Sequence, residues 1–287
     1  MDRVLVIGVD SVAGQAVADQ LTSQSKVCGL WHKTAVLSAD FKSTRLTNDS
    51  LVEQCEQADL FVFCGNASQS SWDDSFGDFE VEESWLNKAL KLCEQASTRF
   101  VFISSDVVFG GPWVFHDDDS GSYCDGRTAQ KVRSFETAVE RCKDSLIVRS
   151  NVLGIGPSSI GLTSRIVERL ESGESERVDA CVYGTPIEST EFAQTLTECL
   201  VAGVSGYVNI GGAERTTAFR YATTLANTLG HNAEHLIPIH DHRRIQEKSL
   251  RCQRLRQELK IAGPLLKETV DHVTQQIVEQ NAEAVAA

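Results

Sequence analysis

Short apolar runs alternate with segments of helical periodicity over the first half of the chain. The runs are rich in β-branched and aromatic residues and occupy positions 4–7, 26–31, 60–64, 99–103 and 145–148. Continuous apolar runs of this length are typical of strands that are buried on both faces of a parallel sheet. The segments between them place apolar residues three or four positions apart. The alternation over residues 3–154 therefore predicts an α/β fold with a right-handed, doubly wound parallel sheet.

The second half of the chain has a more mixed pattern. Helical periodicity recurs at 163–172, 189–202, 216–229, 250–259 and 266–278, and short extended segments lie at 182–187 and 206–212. The stretches 171–179 and 231–245 are polar and predict loops. We expect a first domain over residues 1–154 and a smaller C-terminal α/β part over 155–287 that is interleaved with it in space.

The first strand is followed by a turn with two glycines. Gly8 comes directly after the apolar run and Gly14 opens the first helical segment, which is how a dinucleotide-binding sheet begins. Glycine allows a tight turn, and the free N–H groups of the helix N-terminus, here from Val12 onward, attract a pyrophosphate. The middle glycine of the usual pattern is replaced by Ser11. The turn still predicts a nucleotide site.

The ends of the next two strands supply further candidates for a cofactor site. The second strand ends at His32 and Lys33, without an acidic residue that would bind a ribose 2′-hydroxyl, so NADP is favoured over NAD. The third apolar run ends in the small residues Cys64 and Gly65, which leave room for a cofactor across the strand end. The polar segment 68–80 that follows predicts a loop on the substrate side.

Composition excludes several classes of partner. The 287 residues carry a formal net charge of −13, whereas binding to nucleic acid or an anionic membrane needs a basic face. No apolar run reaches the roughly 18 residues of a transmembrane helix. A strand that begins at residue 3 leaves no room for a signal peptide. These features predict a cytoplasmic protein.

The cysteines and histidines do not form a convincing metal site. None of the nine cysteines belongs to a CxxC pair, which argues against zinc or a disulfide framework and favours a reducing compartment. The acidic stretch 115–122 and the pair His240 and His242 are better explained as solvated loops than as metal ligands. We expect no resident metal.

Four segments together resemble one protein family. Residues 103–111 read Ile-Ser-Ser-Asp-Val-Val-Phe-Gly-Gly, 146–150 read Leu-Ile-Val-Arg-Ser, 183–186 read Tyr-Gly-Thr-Pro and 206–211 read Gly-Tyr-Val-Asn-Ile-Gly. These segments are similar to elements of the extended short-chain dehydrogenase/reductase superfamily, and within it to the dTDP-4-dehydrorhamnose reductases. The resemblance implies a Rossmann-type sheet, NADP or NAD as cofactor, and reduction of a 4-keto nucleotide sugar by hydride transfer.

The resemblance also implies catalytic residues. In the family a Tyr donates a proton to the carbonyl, a Lys four residues later lowers the pKa of the Tyr and holds the nicotinamide ribose, and a hydroxyl orients the carbonyl. Ser105 matches the hydroxyl and Lys131 the Lys, but Arg127 stands where the Tyr is expected. An Arg does not donate a proton near neutral pH. Tyr123, four residues before Arg127, is the candidate replacement.

Three functional hypotheses remain at this point. The chain is an active reductase that uses Tyr123, or a catalytically silent protein that binds a cofactor or sugar nucleotide and regulates another protein, or an enzyme of another kind in which Arg127 binds a phosphate or carboxylate. By analogy with the superfamily, a homodimer is also expected.

Overall fold

The computed structural model describes residues 2–73, 77–121, 123–158, 161–241 and 245–286, with side chains up to 282. Its strands are β1 (Arg3–Ile7), β2 (Lys26–Trp31), β3 (Lys42–Arg45), β4 (Leu60–Phe63), β5 (Arg99–Ser105), β6 (Leu146–Ser150), β7 (Val152–Leu153), β8 (Glu176–Asp179), β9 (Val182–Gly184), β10 (Ile187–Glu188), β11 (Gly206–Ile210), β12 (Thr216–Thr217), β13 (Leu236–Ile239) and β14 (Gln246–Glu247). Its helices are α1 (Val12–Thr22), α2 (Asn48–Cys55), α3 (Phe79–Ala96), α4 (Arg127–Glu140), α5 (Leu162–Ser172), α6 (Ser189–Val201), α7 (Ala218–Thr228) and α8 (Leu266–Ala286).

Seven parallel strands form the central sheet, in the order β11-β6-β5-β4-β1-β2-β3. This confirms the predicted α/β fold with a doubly wound parallel sheet. The strand β11 comes from the C-terminal part of the chain, so that part contributes to the sheet. The boundary expected at residue 154 stays a prediction.

Both faces of the sheet are covered by helices. Alternate residues of β1 point to opposite faces, so Val4 and Val6 join the core under α1 and α6, while Leu5 and Ile7 join the core under α2, α3 and α4. The helices α5, α7 and α8 enclose a third core, which includes Trp72. Burial on both faces is the reason why the central strands β1, β4 and β5 are mostly apolar.

Three predicted loops and one predicted helix differ from the structure. The stretch 171–179 was expected to be an irregular loop, yet β8 forms there and pairs in parallel with β13, which lies within the other predicted loop. The acidic stretch was expected to be solvated, but His116 and Asp118 are buried. Between 250 and 259 the chain forms a short π-helix over Leu255–Leu259 instead of a regular helix.

Three further features hold for the described residues. None of their helices is long and apolar enough to cross a membrane. All nine cysteines are free thiols. No group of three or more His, Cys, Asp or Glu side chains is arranged to hold a metal ion in the described ranges, and His242 lies outside them.

Candidate functional site

The turn between β1 and α1 requires glycine at two positions. Gly8 has φ of +87°, and a Cβ built on it would lie 1.5 Å from the carbonyl oxygen of Cys64. A Cβ on Gly14 would lie 2.1 Å from the carbonyl oxygen of Gly8. A side chain at Gly8 would therefore push the turn away from the end of β4, and one at Gly14 would push α1 away from the turn. These contacts give the physical reason for the two glycines that the sequence shows.

Ser11 occupies the position where a third glycine was expected. Its hydroxyl donates to the carbonyl of Gly8 at 2.8 Å and accepts from the N–H of Gly14 at 3.0 Å. One free N–H of the helix N-terminus is thus capped by the chain itself. Val12, the first residue of α1, contacts the backbone of the loop after β7, since a Cβ on Gly156 would lie 3.2 Å from the Val12 nitrogen.

A second cap joins the same turn to the end of β2. The carboxylate of Asp10 accepts from three consecutive backbone N–H groups, at 3.1 Å from His32, 2.7 Å from Lys33 and 3.2 Å from Thr34. Asp10 is 9% exposed. The backbone N–H groups of Gly8 and Val9 both donate to the carbonyl of Leu30, and these bonds hold the turn against this strand end.

A third cap lies at the end of β4. The carboxylate of Glu82, from α3, accepts from the N–H groups of Asn66 at 2.8 Å and Ala67 at 3.1 Å. Gly65 makes room for it, because a Cβ there would lie 2.5 Å from the carboxylate. Glu82 is 2% exposed, and burial raises the pKa of its carboxyl to about 7.

These three strand ends surround one cavity of about 360 Å³. Six residues predicted to bind a cofactor line it, namely Gly8, Ser11, His32, Lys33, Cys64 and Gly65. Burial lowers the pKa of His32, which favours the neutral imidazole. Val12 instead lines a neighbouring cavity of about 380 Å³ against α8, and Gly14 is enclosed within α1. The rest of the lining comprises Asp10, Arg45, Leu46, Asn66, Gln69, Asp78, Val81, Glu82, Trp85 and Ser158.

The residues predicted to be catalytic have separate partners. Ser105 is fully buried, and its hydroxyl accepts from the N–H of Val107. The ammonium of Lys131 bonds the carboxylate of Glu83 at 2.8 Å. The ring of Tyr123 is half-buried, stacks on Phe109 and lies under the Arg133 guanidinium, 3.6 Å from the ring centre. Arg127 is exposed at the first position of α4.

The carboxyl ends of β5 and β6 are covered by the loop after β4. The carboxylate of Asp106 accepts from the N–H of Ser71 at 3.0 Å and from the side-chain amide of Asn151 at 2.9 Å. Burial raises the pKa of Asp106 to about 6, and it is fully buried. Trp72, on the same loop, packs beside Tyr221. The expected substrate-side loop thus contacts both halves of the chain, with residues 74–76 outside the described ranges.

The ion pair behind this edge is absent from the predictions made from the sequence. Arg149, in β6, bonds the carboxylate of Glu136 through two nitrogens, at 3.0 and 2.7 Å, and both side chains are about 98% buried. Ser104 donates to the same carboxylate at 2.7 Å. A charged residue in an otherwise apolar strand was the available signal, because a buried Arg requires an acidic partner.

Known proteins share this architecture. A structure described as a hypothetical dTDP-4-dehydrorhamnose reductase from Sulfolobus tokodaii is 17% identical, with a TM-score of 0.74, and the match covers 92% of this chain and 97% of that one. A dTDP-4-dehydrorhamnose reductase from Bacillus anthracis in complex with NADP is 13% identical, with a TM-score of 0.73, covering 96% and 99%. The Bordetella bronchiseptica enzyme WbmH in complex with NAD+ is 17% identical, with a TM-score of 0.77, covering 97% and 99%.

At these identities the likeness is one of fold. A comparison with curated protein sequences returns no match. The model of the RmlD substrate binding domain family, in contrast, matches residues 2–278, nearly the whole chain. The chain therefore belongs to the RmlD substrate binding domain family, as its resemblance to the dTDP-4-dehydrorhamnose reductases indicated.

Proposed function

We propose that the protein binds a nicotinamide dinucleotide in the cavity between β1, β2 and β4 and does not reduce a sugar with it. The observation that carries the binding half is the turn at Gly8 and Gly14, where neither glycine has space for a Cβ. Such a turn brings the backbone and a helix N-terminus within reach of a pyrophosphate. The adjoining cavity of about 360 Å³ is within the size range of small-molecule sites.

The silent half of the proposal rests on the residues that a reductase would use. Arg127 replaces the proton donor, and its side chain is exposed at the start of α4. The ammonium of Lys131, which would hold the nicotinamide ribose, is engaged by Glu83. Ser105 has no exposed surface from which to reach a carbonyl. A bound cofactor therefore lacks a positioned acid beside it.

A nucleotide sugar is the second proposed ligand, at the cleft that residues 70–73 cover. We place it there because ligands of open α/β sheets bind outside the carboxyl ends of the strands. In the described chain this edge is closed by Trp72 and by the bonds of Ser71 and Asn151 to Asp106. Binding there requires the loop to move, which suits a protein that reports ligand occupancy to a partner, either a second copy or another protein.

The test is a titration with NADH and NADPH, followed by nicotinamide fluorescence. Trp85 lines the cavity and supplies a second signal, because bound reduced nicotinamide quenches nearby tryptophan emission. We expect saturable binding of at least one cofactor and no loss of absorbance at 340 nm when a dTDP-4-keto-6-deoxy sugar is added. Absence of binding for both cofactors refutes the proposal.

Turnover would refute its silent half and favour the active reductase. In that case Tyr123→Phe, which keeps the stack on Phe109 and removes only the hydroxyl, would abolish the activity. Tyr183→Phe is the matched control, since Tyr183 lies under Arg215 in the C-terminal part. Activity that survives Tyr123→Phe would assign the proton to another group.

A further inference from the structure

Asp10 places a negative charge at the end of β2. Its carboxylate receives three backbone N–H groups from residues 32, 33 and 34, the longest at 3.2 Å. Three successive N–H groups that converge on one point form a site for an anion. In this chain the anion is a side chain of the glycine turn, 22 residues earlier in the sequence.

The end of β2 is also where a dinucleotide sheet holds the adenosine ribose. Asp10, His32 and Lys33 line the same cavity, together with Gly8 of the turn. The carboxylate of Asp10 is therefore a candidate acceptor for a ribose hydroxyl in this cavity. The sequence contains no acidic residue directly after β2, but the turn supplies one from the neighbouring strand.

We propose that this cavity takes adenosine with a free 2′-hydroxyl and rejects adenosine that carries a 2′-phosphate, with Asp10 as the residue that discriminates. The proposal rests on the function proposed above. A ribose hydroxyl donates to a carboxylate, whereas a phosphate is repelled by it. The backbone donors that would otherwise receive the phosphate are already bonded to Asp10. The sequence favours NADP because His32 and Lys33, and no acidic residue, follow β2. The position of Asp10 in the structure favours NAD instead.

The other charges around the cavity support this direction. Lys33 and Arg45 are exposed, so solvent and salt screen their attraction for a phosphate. Asp10 is only 9% exposed, so water screens its repulsion of a phosphate much less. His32 is half-buried, and the lowering of its pKa by burial favours the neutral imidazole. Asp78 adds a further carboxylate at the rim.

The experiment compares 5′-AMP with 2′,5′-ADP (adenosine 2′,5′-bisphosphate) by isothermal titration calorimetry, because the two differ only at the ribose 2′ position and neither needs the nicotinamide half of the site. We expect the full chain to bind 5′-AMP at least about tenfold more tightly, equivalent to about 1.4 kcal/mol. Asp10→Asn keeps an oxygen acceptor for the backbone N–H groups and removes the charge. It should bring the two affinities within about threefold.

Asp78→Asn is the matched control. It removes one charge from the same cavity, and Asn caps α3 as Asp78 does, through the N–H groups of Glu80 and Val81. We expect it to keep at least half of the wild-type ratio. Asp10→Ser, which frees the three N–H groups, replaces Asp10→Asn if thermal unfolding shows that the latter is not folded.

Each outcome decides between the two proposals. Three outcomes overturn the role of Asp10. They are tighter binding of 2′,5′-ADP by the wild type, an unchanged ratio of the two nucleotide affinities in Asp10→Asn, and no binding of either nucleotide. Preference for 5′-AMP over 2′,5′-ADP without any binding of NADH or NADPH leaves that role standing and refutes the proposed cofactor function. Binding of NADPH in preference to NADH leaves the proposed cofactor function standing and refutes the role of Asp10.

Discussion

The carboxyl of Glu82 should make the stability of the fold depend on pH in a defined way. Burial raises the pKa of this group from an ordinary value of 4.5 to about 7, because the loss of water from its ionised form outweighs the hydrogen bonds from the N–H groups of Asn66 and Ala67. The protonated carboxyl of Glu82 therefore makes its full contribution to the free energy of unfolding below pH 4.5. This contribution is lost as the pH rises through 7, since the unfolded chain gives up the proton first.

The magnitude follows from that interval. A difference of about 2.5 pH units at about 1.4 kcal/mol each gives about 3 kcal/mol between pH 4 and pH 8. The variant Glu82→Gln is neutral at every pH. Relative to the wild type it should therefore become more stable by about 3 kcal/mol over this range, whatever its offset at pH 4 from the lost acceptor oxygen.

Urea unfolding of both proteins at half-unit steps from pH 4 to pH 8 measures the difference, in which the titration of the other groups cancels. Glu258→Gln is the control, because the hydrogen bond from Arg254 lowers the pKa of Glu258. Its difference from the wild type should stay flat above pH 5. A Glu82→Gln difference that is constant or falls with pH would refute the reasoning about burial.

Three further changes test the packing around the site. Glu136→Gln leaves Arg149 buried without its charged partner and should lower the free energy of unfolding by about 3–5 kcal/mol in chemical denaturation. Asp271→Asn, in the exposed pair with Lys267, should lower it by less than about 1 kcal/mol, and similar losses for the two variants would contradict the role of burial. Gly8→Ala meets the Cys64 carbonyl and a positive φ, so we expect a loss of at least about 2 kcal/mol and of nicotinamide fluorescence enhancement; a stable variant that binds normally would show that the turn relaxes. Trp72→Ala should cost about 3–5 kcal/mol and speed proteolysis of the loop 66–73, and unchanged proteolysis would show that Trp72 does not hold the loop closed.

The central strands were predictable because a buried strand is recognisable from its own few residues. A strand covered on both faces must be apolar throughout, and β1, β4, β5 and β6 show this directly. The edge strand β3, with the sequence Lys-Ser-Thr-Arg, lacks that signature and was not predicted. The pair of β8 and β13, which lies outside the main sheet, was missed as well. The sequence of β8 is Glu-Arg-Val-Asp, with a single apolar residue, and β13, Leu-Ile-Pro-Ile, contains a proline, which is unusual within a strand.

The site was predictable in part. Gly8 and Gly14 carry a steric requirement that is visible in the sequence as a turn between a strand and a helix. The caps made by Asp10 and Glu82 join segments 22 and 16 residues apart and follow no periodicity. A lone acidic residue looks the same in a sequence whether it is solvated or holds a strand end. The partners of Ser105, Lys131 and Tyr123 likewise depend on how α3 and α4 pack.

The sequence alone therefore determined the buried strands of the central sheet, their alternation with helices and the glycine turn, because each follows from steric limits and burial within a few residues. The tertiary structure decided which charges face the cavity and which loop closes the strand ends. Those features depend on side chains that are distant in the chain and are brought together only when the sheet is covered by its helices. Asp10 is the sharpest example, since its neighbours in sequence give no indication that it is bonded to the end of β2.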